Sequence, residues 1–289
     1  MGLSEHYLFN QEGLEDNFLW RYTGLSKFLS LLHQRKLFFA SVENMAKDDD
    51  VYEGSLPKNY MDYLSWSCVS DIPIYAQPLY EQYLSAHKDS SIAFDKFIEG
   101  RKNWLTSCYA NRRASYISCW HANKRESDAM WKLYSLSGEG VAIVSSLSRI
   151  NASLDTSNHT IRGGFVNYVD FSAHRVNSIR PNGYEPTLLK RDSFSHENEF
   201  RLVYVDPKIN LLACRPRTAA AAFDEPIMAG VSIPVDIGTL ILKVVVSPAS
   251  TQWFYNVVQT ICAQNEIEVT RSEMDVEPLS FDLNRKPPV

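Results

Sequence analysis

The chain of 289 residues has an ordinary globular composition, with 45% hydrophobic and 22% charged residues, and this balance excludes wholesale disorder. Its formal net charge of -5 argues against a protein whose main task is to coat nucleic acid, because phosphate binding draws on clustered Lys and Arg. The five cysteines lack C-x-x-C spacing, which favours neither a disulfide framework nor a zinc ribbon. We therefore expect a cytoplasmic protein, and no apolar run approaches the length that spans a membrane.

The first elements of the chain are predicted as strand, helix and strand. FLWRY at 18–22 alternates as a strand, and apolar residues then recur at helical spacing from Leu25 to Leu32, with Leu29 on the buried face. KLFFAS at 36–41 reads as the second strand. An acidic run with Asp50 and Glu53 follows, and we interpret it as a charged loop.

A helical pattern from about 75 to 110 predicts a helical insertion around 72–112. The remainder predicts strands at 116–120, 141–146, 163–171, 198–205, 227–233, 240–247 and 266–271, and helices at 126–137 and 249–264. In the last helix, Trp253, Val257 and Ile261 are expected to face inward.

Strands and helices do not alternate regularly, which favours an α+β fold with a mixed, mainly antiparallel sheet over a doubly wound one. We predict a single domain over 1–277 and a flexible tail over 278–289.

The segment SFSHENEFRLVYVD (193–206) holds the first candidate site. If residues 197–205 form a strand, its period of two sorts the side chains onto two faces. One face carries Phe200, Leu202 and Tyr204 toward a core, and the other carries Glu197, Glu199 and Arg201. Such a polar row is either a solvated outer face, which is common in antiparallel sheets, or one wall of a polar site.

Two further candidates are single residues. Arg21 stands on the first predicted strand just before a glycine turn into a helix, where an arginine can bind phosphate. Ser118 is a small hydroxyl on a strand flanked by large rings. For both, a structural role is the simpler interpretation. Short basic pairs, of which Lys190 with Arg191 is one, are interpreted as solvated surface.

The chain contains no G-x-S-x-G, no G-x-x-x-x-G-K-[ST], no G-x-G-x-x-G and no H-E-x-x-H, so the usual serine hydrolase, P-loop, Rossmann and zinc hydrolase interpretations are disfavoured.

From Leu19 to about Phe254 the chain resembles an uncharacterised bacterial family of domains of unknown function. The motifs that carry the resemblance stand in the expected order: WRYTGL, KLFFAS, DDDVYEG, SDAMWKLY and ENEFR. The acidic loop departs from the usual Asn-Asp-Pro, since Asp50 is followed by Val51. This family implies no established activity.

The order of elements is also similar to that of ADP-ribosyltransferases, which place an Arg on a first strand, a Ser on a later strand and an E-x-E motif on a third. That resemblance implies an ADP-ribosyltransferase-like fold and NAD as cofactor. It makes Glu199 the residue that stabilises the ribosyl cation and Glu197 the residue that activates the acceptor. It implies that the cofactor is bound by Arg21, Tyr22, Thr23, Ser118, Tyr134 and Arg201.

Three functions stay open at this point. The first is a NAD-consuming transferase or glycohydrolase, acting on an unknown protein or nucleic-acid acceptor; the resemblance adds a toxin or phage-defence role, with an antitoxin as a partner. The second is a metal-dependent nuclease in which Asp49, Asp50, Glu53 and Glu199 converge on a divalent ion. The third is a non-catalytic binding or scaffold protein.

Overall fold

The computed structural model describes residues 2–14, 17–48, 50–135, 138–172, 184–213 and 219–275. Helices and strands are mixed along this part of the chain, and the strands pair mainly antiparallel, which confirms the α+β prediction. Among the described residues, no helix combines the length and the apolar character needed to span a bilayer.

The described strands are β1 (Phe18–Gly24), β2 (Lys36–Ser41), β3 (Ser115–Asn123), β4 (Gly140–Ser145), β5 (Ile161–Phe165), β6 (Asn167–Val169), β7 (Leu189–Arg191), β8 (Glu199–Val205), β9 (Gly230–Pro234), β10 (Lys243–Val246) and β11 (Val269–Arg271). The described α-helices are α1 (Leu25–Gln34), α2 (Val42–Asp48), α3 (Gln77–His87), α4 (Ser90–Ala114), α5 (Asp128–Tyr134), α6 (Leu147–Ser153), α7 (Glu185–Leu188), α8 (Pro207–Ala213), α9 (Ile237–Leu240) and α10 (Gln252–Ala263). Short 3-10 segments lie at Lys58–Ser65, Val69–Asp71, Ile74–Ala76, Asp192–Glu197, Ala219–Phe223 and Glu273–Asp275.

The chain divides into two compact units, each assembled from three segments. Unit 1 comprises Met1–Glu12, Lys36–Trp120 and Asp155–Pro234. Unit 2 comprises Gly13–Arg35, His121–Leu154 and Val235–Val289.

Unit 1 carries strands in the order β9-β2-β3-β8-β5. The outer side of β5 is covered by the N-terminal segment, since Ser4 donates to the carbonyl of Ile161 (2.8 Å) and Phe165 donates to that of Asn10 (3.0 Å). Gly164 permits this close approach, because a Cβ there would lie 2.7 Å from the Cα of Phe9.

The helical segment predicted around 72–112 contains α3 and α4, which belong to unit 1. Helix α4 begins at an Asp89 cap whose carboxylate accepts hydrogen bonds from the backbone of Ser91 and Ile92. Its buried Phe97 packs with Ile72 and Tyr80 in a small aromatic cluster. These helices therefore bury an apolar face of their own.

Unit 2 carries the C-terminal end of β3 followed by β1, β4, β10 and β11. All six residues of β4 are buried, as expected for a strand with neighbours on both sides. The core of this unit packs Trp20 and Tyr22 of β1 against Met130 and Trp131 of α5. Burial of these large rings contributes to the hydrophobic stabilisation of the unit.

Two helices present a different face to the core than the sequence predicts. In α10 the buried residues are Phe254, Val258 and Cys262, whereas Trp253 is 68% exposed. In α1 the residue Leu29 is exposed, and Leu31 is buried in its place. Both helices carry two neighbouring apolar rows, so periodicity alone does not choose between them.

Three predicted strands also have different bounds. The strand predicted over 163–171 is broken between β5 and β6. The one predicted over 240–247 begins only at Lys243, because α9 occupies Ile237–Leu240, and the one predicted over 227–233 begins at Gly230. Residues 278–289, predicted as a flexible tail, lie outside the described residues.

Candidate functional site

Five charged side chains meet inside unit 1, and we call them the charge cluster: Glu53, Lys190, Glu197, Glu199 and Arg201. Four different parts of unit 1 supply them. Strand β8 supplies Glu199 and Arg201, β7 supplies Lys190, the turn after α2 supplies Glu53, and the 3-10 segment before β8 supplies Glu197. The cluster therefore forms only when distant parts of the chain fold together.

Arg201 is the centre of one half of the cluster and is 0% exposed. Its Nη1 and Nη2 donate to the two carboxylate oxygens of Glu53 at 2.6 and 3.0 Å. Its Nε donates to Oε2 of Glu199 at 2.6 Å, and Nη1 also donates to the carbonyl of Thr187 at 2.8 Å. This guanidinium is fully surrounded by protein acceptors, so the geometry favours a positioning role over the cofactor contact that the resemblance implies.

Lys190 is the centre of the other half. Its Nζ donates to Oε2 of Glu197 at 2.6 Å and to Oε1 of Glu199 at 2.9 Å. The same ammonium lies 4.9 Å from the ring centre of Phe194, which covers it. One lysine thus holds two carboxylates side by side.

The two carboxylates have opposite pKa shifts. Burial raises the pKa of Glu197 to about 7, and a hydrogen bond with Glu199 supports the protonated form. Burial would also raise the pKa of Glu199, but the charges of Arg201 and Lys190 outweigh it and hold that pKa below its usual value. The cluster has three carboxylates and two cations, so a proton on Glu197 makes it neutral.

The sequence left two interpretations of this polar row open, a solvated outer face or one wall of a polar site. The solvated face is wrong, because Glu197, Glu199 and Arg201 are all buried. The prediction that Glu197 lies on the strand is also wrong. Glu197 ends the segment Asp192–Glu197, and Asn198 then adopts a left-handed conformation with φ of 38°, so β8 begins only at Glu199. This turn places the carboxylate of Glu197 against Lys190, the lysine that Glu199 also contacts.

In the charged loop predicted around Asp50, the acids Asp50 and Glu53 are likewise buried, although Val51 and Tyr52 between them are exposed. Asp50 accepts from Nη2 of Arg191 at 2.8 Å and is 3% exposed, and Glu53 is 2% exposed. The basic pair Lys190–Arg191 is therefore only partly solvated: Lys190 is buried against Glu197, and the half-exposed Arg191 pairs with the buried Asp50. Burial of an acid of this kind requires such a partner.

Ser118 is not the β3 residue that adjoins the carboxylates. Cys119 is half-buried next to them, and burial, together with the charge of Glu199, raises the pKa of its thiol to about 12. Because successive side chains along a strand point to opposite faces, Ser118 faces away from the cluster. Cys119 is thus held as an uncharged thiol against the charged groups.

The remaining predicted cofactor residues belong to unit 2, whereas the charge cluster belongs to unit 1. Arg21 is half-buried on β1 opposite Ile143 of β4. Thr23 is buried near the end of the same strand, and Tyr134 is 47% exposed at the end of α5.

Tyr22 is part of the core of unit 2. Its ring meets Trp131 edge-on at 4.8 Å, and its hydroxyl accepts a hydrogen bond from the backbone of Ser127 at 2.8 Å. Burial raises the pKa of this phenol well above its usual value. The structure therefore gives Tyr22 a packing role that the sequence does not distinguish from ring stacking on a ligand.

The acids named for a metal site are partly brought together. Glu53 and Glu199 converge, but on the guanidinium of Arg201. Within the described ranges, no group of three or more His, Cys, Asp or Glu side chains could hold a metal ion. Asp49 lies outside the described residues.

Sequence reasoning missed Lys190 and the pairing of Glu53 with Arg201. The one signal at Lys190 is that two leucines, Leu188 and Leu189, precede it, which is unusual for a solvated lysine. Nothing in the local sequence of Glu53 indicates its partner, since Arg201 is 148 positions away.

No curated protein and no solved structure matches the chain. Residues 130–202, about a quarter of the chain, match the model of a family described as a protein of unknown function (DUF2971). The matched segment begins in helix α5 and ends in strand β8, so it contains four members of the charge cluster. Over residues 130–202 the chain thus fits the uncharacterised family that its AMWKLY and ENEFR motifs resemble.

Proposed function

We propose that the charge cluster is the reaction centre of a NAD-consuming enzyme, an ADP-ribosyltransferase or NAD glycohydrolase with an ADP-ribosyltransferase-like fold. The observation that carries the proposal is the paired placement of Glu197 and Glu199 on one ammonium, with Nζ of Lys190 at 2.6 and 2.9 Å from the two carboxylates. Two carboxylates held together but differing in proton affinity are typical of sites that use one as a charge stabiliser and the other as an acid or base.

Glu199 suits the first role. When the bond between nicotinamide and ribose breaks, the electron pair leaves with nicotinamide and positive charge develops on the ribose. A carboxylate that stays ionised stabilises this charge, and Arg201 and Lys190 keep Glu199 ionised by lowering its pKa.

Glu197 suits the second role. The acceptor hydroxyl, or water in a glycohydrolase, forms a bond to the ribose carbon and must lose its proton. Glu197 can take that proton, because burial brings its pKa to about 7, close to neutral pH. The deprotonated form is the active base, so the proposed rate rises with pH through this value.

Substrate access requires the cover of the cluster to move. Glu197 and Glu199 are 7% and 5% exposed. On one side the cover is the segment Asp192–Glu197, which contains Glu197 itself. This cover is thin, because most of the other residues of the segment are exposed. Displacement of this segment, with the ring of Phe194, would open the carboxylates to a ligand.

The proposal uses residues of unit 1 alone and takes no support from Arg21, Tyr22, Thr23 or Tyr134. The acceptor is a protein, a nucleic acid or water. A toxin or phage-defence role, with an antitoxin as partner, is the biological setting that the resemblance suggests for such an activity.

The direct test is incubation of the protein with NAD at millimolar concentration and measurement of released nicotinamide. We expect release by the native sequence and a loss of at least about 100-fold in Glu199→Gln, the size of effect that removal of an electrostatic stabiliser has in other enzymes. Glu197→Gln, which imitates the protonated acid, should keep the fold and lose the rise of rate with pH.

The matched control is Glu99→Gln, which changes an exposed carboxylate of unit 1 that pairs with the exposed Lys96. It should release nicotinamide at the native rate. Absence of nicotinamide release from the native protein, or equal release by native protein and Glu199→Gln, would overturn the proposal.

A further inference from the structure

A small pocket lies in unit 1 where β5 begins and β8 ends, and its volume is about 200 Å³. It is lined by Asn158, Thr160, Arg162, Tyr184, Tyr204, Val205, Pro207 and Asn210. These residues are one cation, two phenol rings, three residues with an amide or hydroxyl group, and the apolar Val205 and Pro207. None of these described lining residues is acidic.

Arg162 is held in place by an aromatic ring. Its guanidinium carbon lies 4.6 Å from the ring centre of Tyr184, and its Nη1 donates to the hydroxyl of the same tyrosine at 2.9 Å. The ring and the hydroxyl fix the plane of the guanidinium without neutralising its charge. The side chain is therefore preorganised for a ligand.

The charge of Arg162 has no carboxylate partner in the described part of the chain. Its Nε is buried and makes no hydrogen bond to any residue that the structure describes. A buried donor without an acceptor is costly, and a guanidinium presents its donors in a fork that matches the oxygens of a carboxylate or phosphate. An oxyanion in the pocket would satisfy both the charge and the donor.

The other polar groups favour an anion with several oxygens. The side chains of Asn158, Thr160 and Asn210 can each donate a hydrogen bond, and they line the same pocket as Arg162. A phosphate group offers more acceptor positions than a carboxylate. The volume is below that of typical sites for drug-sized ligands, so it suits one small phosphate-bearing molecule and excludes a complete dinucleotide.

We propose that this pocket binds the phosphate group of a small phosphate ester through Arg162. The pocket is distinct from the charge cluster, and the inference does not depend on the activity proposed there. Strand β8 carries both, with Glu199 at its first residue and Val205, which lines the pocket, at its last.

The test is a calorimetric titration of the full chain at constant ionic strength with inorganic phosphate, ribose 5-phosphate and acetate. We expect phosphate and ribose 5-phosphate to bind, and Arg162→Gln to weaken both by at least about tenfold, which corresponds to the loss of one charge-assisted contact. Thr160→Val, which leaves the Arg162–Tyr184 pair intact, should weaken them by a smaller factor.

The matched control is Arg125→Gln, because Arg125 is exposed and the change removes the same charge elsewhere. It should leave the affinity for phosphate unchanged. The proposal is overturned if phosphate does not bind, if Arg162→Gln and Arg125→Gln bind it equally, or if acetate binds more tightly than phosphate. If Arg162→Gln fails to fold, unchanged affinity in Thr160→Val overturns it.

Discussion

Arg201 and Glu53 form a bidentate ion pair, with Nη1–Oε1 at 2.6 Å and Nη2–Oε2 at 3.0 Å, although 148 positions separate them in the sequence. Both side chains are almost completely buried, at 0% and 2% exposure. The pair ties the turn after α2 to strand β8 within unit 1. The charge cluster is therefore a long-range link through the core of this unit as well as a candidate reaction centre.

Removal of the shared cation should destabilise the fold. We expect Lys190→Met to lower the free energy of unfolding by about 3–5 kcal/mol, because it leaves Glu197 and Glu199 buried without their common partner. Urea denaturation measures the change. Lys208→Met is the control, since Lys208 pairs with Glu225 at the surface, and it should cost less than about 1 kcal/mol. Equal costs in the two variants would contradict the structural role of Lys190.

The stability of the protein should depend on pH through Glu197. Its folded pKa of about 7 lies above the ordinary value of 4.5, so the folded state binds more protons between these values and the free energy of unfolding falls as the pH rises from about 4.5 to 7. The fall amounts to about 3 kcal/mol at most, since each pKa unit corresponds to about 1.4 kcal/mol. The lowered pKa of Glu199 acts in the opposite direction and removes stability below about pH 4.5.

Denaturation curves of the native protein and Glu197→Gln at intervals from pH 4 to pH 8 test this dependence. The Gln variant should lose the fall between pH 5 and pH 7, because an amide stays uncharged over that range. Glu99→Gln, at an exposed site, should keep the native profile. A profile of Glu197→Gln that parallels the native one would show that Glu197 titrates as an ordinary carboxylate.

The buried face of α10 offers a pair of adjacent tests. Phe254 is 1% exposed, and Phe254→Ala should cost about 3–5 kcal/mol in the free energy of unfolding, because it leaves a cavity in the core of unit 2. Trp253 is 68% exposed, and Trp253→Ala should change it by less than about 0.5 kcal/mol. Thermal unfolding compares the stability of the two variants. A larger loss of stability in Trp253→Ala than in Phe254→Ala would show that the helix face predicted from the sequence is the buried one.

Gly164 should not tolerate a side chain. A Cβ there would lie 2.7 Å from backbone Cα of Phe9, so Gly164→Ala should displace the N-terminal segment from β5 and cost about 1–3 kcal/mol. A Cβ added at Gly238, in helix α9, would lie 3.6 Å from Oδ1 of Asp236, which is an ordinary van der Waals contact. Gly238→Ala should therefore be neutral or slightly stabilising. Protease sensitivity near the N-terminus, compared between the two variants, reports the displacement.

Most of the fold could be predicted from periodicity. Apolar residues that recur every two residues in strands and every 3.6 residues in helices predict the strand–helix–strand start, the helices around 72–112 and the α+β class. The structure confirms these predictions. Helices with two adjacent apolar rows could not be oriented. Trp253 and Phe254 are both large and apolar, and only the surface against which α10 packs decides which one is buried.

The candidate site was predicted less completely. The sequence identified Glu197, Glu199 and Arg201 as a unit, because they recur every second residue, and they do lie together. It did not reveal that they are buried, since that depends on Lys190 and Glu53, which reach them from elsewhere in the chain. The sequence also did not predict that the strand begins only after Asn198, because a single left-handed residue leaves no signal in the periodicity of the side chains.

Glu197 should hold a proton near neutral pH while its neighbour Glu199 stays ionised. Carbon-13 NMR of the protein labelled at the glutamate carboxyl carbons, titrated from pH 4 to pH 9, measures this directly. We expect one carboxyl signal that titrates near pH 7 and is absent from Glu197→Gln. We expect another, absent from Glu199→Gln, that shows no titration above pH 4. Titration of every glutamate below about pH 5 would show that Glu197 does not hold a proton near neutral pH.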